Sequence, residues 1–79
     1  MESKRDKSSI LVTIESNEAI VLLEWLSRFN AQEYSALFED QAEQRVLFDL
    51  ESELEKVISE TFRDDYLEIL NMARRNIRD

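Results

Sequence analysis

Residues 40–59 read Asp40-Gln41-Ala42-Glu43-Gln44-Arg45-Val46-Leu47-Phe48-Asp49-Leu50-Glu51-Ser52-Glu53-Leu54-Glu55-Lys56-Val57-Ile58-Ser59. Val46, Leu47, Leu50, Leu54, Val57 and Ile58 recur at helical spacing and predict an amphipathic helix with that stripe turned inward. Asp40 is placed to cap the first turn, and Glu43 three residues on is placed to reach back, a capping-box pattern with Asp in the Ser/Thr position. Such a helix starts at Asp40 and runs to about Ser59. About three turns of heptad-like spacing are too few for an independent coiled coil.

The same logic extends on both sides. Downstream, Asp64 or Asp65 opens another helix, with Asp65 and Glu68 repeating the capping pattern. Tyr66, Ile69, Leu70, Ala73 and Ile77 form its stripe. Arg74, Arg75 and Arg78 fall in its last turns, where cations suit the negative end of the helix dipole. Upstream, Leu22, Trp25, Leu26 and Phe29 share a helical face that Ile20, Val21 and Leu23 widen. Ser16 or Asn17 starts this helix, which runs to about Phe29, and Asn30 stops it. Between the first two helices, Tyr34, Leu37 and Phe38 suggest a packed loop or a short helical turn.

Before the helices, Ile10, Val12 and Ile14 alternate with Leu11, Thr13 and Glu15. Period two with β-branched residues predicts a strand over Ser9–Glu15. Residues 1–8 read as a disordered leader, so no second strand is visible. A lone strand leaves backbone donors and acceptors unpaired. The expectation is therefore a homodimer joined through Ile10, Leu11, Val12, Thr13 and Ile14. The alternatives are an unpaired extended segment, an internal hairpin with residues 31–38, or completion by a partner's strand. The predicted fold is mainly α: one N-terminal strand followed by three helices, in a single small domain over residues 9–79.

Composition supports this reading. The 79 residues contain no Gly and no Pro, which disfavours a multi-hairpin β fold and excludes phosphate loops that need glycine. The absence of Cys and His removes disulfides, thiolate metal sites and the commonest general base. Asp49, Glu51, Glu53 and Glu55 are spaced to scatter around a helix axis, and only Glu51 and Glu55 share a face. No cofactor, no metal and no enzymatic activity are expected. The net charge is −8, and residues 15–55 hold eleven acids against Arg28 and Arg45. Such a field repels nucleic acid and anionic lipid and attracts basic surfaces. The N-terminus lacks an apolar signal core, and the longest apolar run, Ala19 to Leu23, is too short to span a bilayer. The expected compartment is the cytoplasm.

Phe48 falls well off the apolar stripe, beside Gln41, Arg45, Ser52 and Glu55. A large aromatic there is either covered by residues 30–39 or exposed for a partner. The candidate partner-binding residues are Arg45, Phe48, Glu51 and Glu55.

The segment Glu39-Asp40-Gln41-Ala42-Glu43-Gln44-Arg45-Val46-Leu47, with Leu50-Glu51, Leu54-Glu55-Lys56, Phe62, Asp65-Tyr66 and Ala73-Arg74, resembles a group of short bacterial proteins of unassigned function. The resemblance spans roughly residues 10–78. It departs at Phe48, where similar chains carry Trp, and at Arg63-Asp64, where they often read Ser-Pro. It implies a bacterial origin and a stand-alone small protein. The function these features favour is a binding module that masks a basic partner, as an immunity protein or antitoxin neutralises a toxic nuclease. The alternative is a structural or regulatory homodimer.

Overall fold

The chain order is two short strands and then three helices: β1 (Glu2–Asp6), β2 (Ser9–Thr13), α1 (Ser16–Asn30), α2 (Gln41–Val57) and α3 (Tyr66–Arg78). Single 3-10 turns at Ser35–Leu37 and Glu60–Phe62 sit in the two helix connections. The computed structural model describes every residue except Tyr34. The mainly helical fold expected from the stripes is therefore present. The part of the Tyr34-Leu37-Phe38 reading that concerns Tyr34 lies outside the described residues.

The N-terminal region departs from expectation. Residues 2–6 are not a disordered leader but a strand, paired antiparallel with β2 from Glu2↔Thr13 to Asp6↔Ser9. The second strand was hidden because Glu2-Ser3-Lys4-Arg5-Asp6 has no apolar alternation to betray it. It is an edge strand, and charge is how edges are protected from further pairing. A two-residue turn, Lys7-Ser8, closes the hairpin with Lys7 at φ 56°. Primed hairpin turns need positive φ, which glycine usually supplies, so Lys7 carries strain in its place. The predicted strand also ends earlier, at Thr13, and Ile14 is half-buried against the helical core.

Helix α1 is central. Glu18 in its first turn accepts a 3.0 Å hydrogen bond from the Glu15 N–H. Its inward residues Ala19, Ile20, Leu23 and Leu26 are buried, Leu26 completely. Helices α2 and α3 each pack against α1 but not along one another. The core therefore gathers where α1 meets both partners. Ala19, Ile20 and Leu23 join Ile58 from the end of α2 and Leu70 and Ala73 from α3, with Ile14, Leu54, Tyr66 and Ile69 at the margin.

Helix α2 starts where Asp40 predicts it, its carboxylate accepting from Ala42 N–H at 2.7 Å. Glu43 reaches back to Glu39 N–H at 3.0 Å, one residue further than the capping box places it. The helix ends at Val57, two residues early. Its inward seam is Gln44, Leu47, Glu51, Leu54 and Ile58, narrower than the predicted stripe and rotated from it. Val46, Leu50 and Val57 lie on an exposed flank, and no residue within α2 is fully buried. Leu50 and Trp25 are thus partly exposed, at 38% and 43%, although apolar spacing alone assigns both to the core. Among the described residues α1 is the one helix packed along α2, and one neighbour covers a narrow seam rather than a wide stripe.

Helix α3 keeps Tyr66, Ile69, Leu70 and Ala73 inward, while Ile77 is exposed. The Asp65–Glu68 capping pattern does not form. The Asp65 carboxylate instead pairs with the Arg63 guanidinium at 3.0 and 3.2 Å. The open arrangement gives a radius of gyration of 14.2 Å, against about 12 Å for a compact chain of this length. Among the described residues no helix is long and apolar enough to cross a membrane.

Candidate functional site

Two polar side chains of α1 tie it to its neighbours, and the space beside one of them is the candidate site. Asn30 is the last helical residue of α1 and not its left-handed stop, since Ala31 caps the helix in a right-handed conformation. The Asn30 amide donates to Glu51 Oε1 at 2.7 Å and reaches the Leu47 carbonyl at 3.4 Å, fastening the end of α1 to the middle of α2. Glu24, one turn and a half earlier, accepts a 2.8 Å hydrogen bond from the Tyr66 phenol at the start of α3. Burial, then the bond to Glu24 and the charge of Glu24, push the Tyr66 phenol up to about 12, with Arg74 opposing. Tyr66 is therefore a fixed, neutral donor across the physiological range.

Because α2 and α3 do not close against each other, a cleft of about 480 Å³ opens between them on α1. It is lined by Leu23, Glu24, Ser27, Glu55, Thr61, Phe62 and Tyr66. Glu55 brings a second carboxylate from α2. Phe62 stands in the connection before α3 and is 88% exposed. An aliphatic floor from Leu23, two acids and an aromatic rim are complementary in chemistry to a cationic side chain with an apolar stem. Lysine and arginine have this shape, burying the stem and keeping the charge at a polar end.

The predicted partner residues divide. Glu55 lines the cleft, and Phe48, seven residues before it on the same flank of α2, is 42% exposed. Part of the Phe48 ring is therefore uncovered by the described residues. Phe38 instead packs edge-on against Phe29, ring centroids 5.9 Å apart, and Phe29 stacks on Trp25 at 4.8 Å. Glu51 does not join Glu55, because its carboxylate is turned to Asn30 on the α1 seam. Arg45 is exposed one turn before Phe48 and does not line the cleft. Sequence reasoning missed Glu24, Phe62 and Tyr66 as members of one site. The signal was an acid, Glu24, inside the otherwise apolar run Ala19 to Leu26. A charge in that position needs a polar partner.

Among the described residues, no group of three or more acids converges as a metal site requires. Comparison with protein-family models, curated proteins and solved structures finds no match.

Proposed function

We propose that this chain is a non-enzymatic binding module that masks a basic protein, in the manner of a bacterial immunity protein or antitoxin neutralising a toxic nuclease. The observation that carries the reading is the cleft, where Glu24 and Glu55 sit beside exposed Phe62 on a chain of net charge −8. A cationic groove is steered toward such a surface, and steering acts first on the association rate. Phe48 and Glu55 on one flank of α2 extend the contact beyond the cleft, giving an aromatic anchor near charge of the sign a basic partner needs. The chain lacks Cys and His, and the half-buried Tyr66 phenol is held neutral beside Glu24, so binding fits its side chains better than catalysis. The same negative field disfavours nucleic acid and anionic membranes as partners. The resemblance to short bacterial proteins sets the setting of the proposal.

The test is co-expression of the tagged chain with the untagged products of its neighbouring genes, the expected partner being a basic nuclease. Co-purification at one-to-one stoichiometry, with loss of nuclease activity, supports the reading. A nuclease that stays fully active at excess of this chain excludes it.

A further inference from the structure

The hairpin is the least supported part of the molecule. All ten of its strand residues are exposed, and neither strand packs on a helix. Ile10, Leu11 and Val12 are 64%, 46% and 58% exposed. A two-stranded hairpin is marginal in water unless another strand or a packed face supports it. The chain as a whole exposes 6630 Å², against about 5,000 Å² for a compact monomer of its mass.

We propose that β2 pairs antiparallel with β2 of a second copy, making a four-stranded sheet in the order β1-β2-β2-β1. Three features select this occupant. The two edges of the hairpin differ: β1 carries Glu2, Lys4, Arg5 and Asp6, whereas Ser9-Ile10-Leu11-Val12-Thr13 carries no charge. Charge blunts the first edge and nothing blunts the second. Beside a two-residue turn, the flanking pair Asp6↔Ser9 exchanges hydrogen bonds, and exchange then alternates along the ladder. Ser9, Leu11 and Thr13 therefore bond to β1, while Ile10 and Val12 turn their N–H and C=O groups to the free edge.

A two-fold axis at Leu11 places Ile10 opposite Val12 of the second copy and Leu11 opposite its own equivalent. Every apolar side chain then meets another, as a self-complementary contact demands. Finally, acids crowd residues 15–55, whereas residues 1–8 are slightly basic. Joining at the hairpins keeps the two negative bodies apart, which joining through the exposed flank of α2 does not. The inference is independent of the basic partner proposed above, because the cleft lies on the helices.

The test is sedimentation equilibrium at micromolar concentration, with amide hydrogen exchange on the same sample. Wild type should have twice the chain mass, with the Ile10 and Val12 amides protected. Val12→Pro removes a donor from the free edge only, and Leu11→Lys sets two like charges together at the axis. Both should return the mass to one chain with helical circular dichroism unchanged, and added salt should partly restore the Leu11→Lys dimer. A wild-type monomer, or a dimer that survives both substitutions, overturns the proposal.

Discussion

The Tyr66 phenol and the Glu24 carboxylate meet at 2.8 Å across the contact between α3 and α1. The bond binds the last helix to the central one and fixes one wall of the cleft. It also makes stability depend on alkaline pH. The folded phenol titrates at about 12 rather than 10.0. Its contribution is fully present below the unfolded value and is lost as pH rises from 10.0 toward about 12, because the unfolded state gives up its proton first. Tyr66→Phe should therefore be less stable than wild type below pH 10 and show a shallower loss between 10 and 12. Urea midpoints across that window check this, and equal alkaline slopes for the two proteins would refute it.

Asn30 and Glu51 should behave as one unit. A hydrogen bond to a charged acceptor contributes about 1.5–3 kcal/mol when buried, and this one is partly exposed. Asn30→Ala and Glu51→Ala should each cost about 1–2 kcal/mol, with a coupling energy near 1 kcal/mol in a double-mutant cycle. Additive costs would show that the two side chains act separately.

Leu26 and Leu50 separate a true core position from one that only looks like core in sequence. Leu26 is fully buried and Leu50 is 38% exposed. Leu26→Ala should cost about 2–5 kcal/mol, the range for a buried leucine. Leu50→Ala should cost about 1 kcal/mol, in proportion to the smaller apolar area it hides. Chemical denaturation of both variants decides, and equal costs would place α2 with a different face inward.

Lys7 holds a positive φ of 56° without being glycine. Lys7→Gly removes a left-handed strain of roughly 1–2 kcal/mol per residue and adds part of it back as unfolded-state entropy, leaving a gain of up to about 1 kcal/mol. Slower hydrogen exchange at the Leu11 and Thr13 amides is the expected sign. Unchanged or faster exchange there would mean that the turn carries no strain.

The helices were legible because their signals are local. Asp40 fixed the start of α2, and Tyr66, Ile69, Leu70 and Ala73 fixed the inward face of α3. The hairpin was half legible: β2 alternates, whereas β1 is charged throughout and takes its structure from its partner. The rotation of α2 was not legible, since Val46, Leu50 and Val57 are as apolar as Leu47, Leu54 and Ile58. Which of them is buried depends on α1 being, among the described residues, the helix packed along α2. The cleft was hidden for the same reason. Glu24, Glu55 and Tyr66 are far apart in sequence and meet only because α2 and α3 stay apart.

The proposed function brings a basic protein to the acidic cleft. Its most direct measurement is the association rate of the co-purified basic nuclease with wild type, Glu55→Lys and Phe62→Ala, at low and high salt. Glu55 and Phe62 are exposed, so both variants should keep the fold. Glu55→Lys should slow association at low salt and flatten its salt dependence, while Phe62→Ala should leave the association rate near wild type and speed dissociation. Rates and salt dependence identical to wild type in both variants would contradict the cleft as the binding surface.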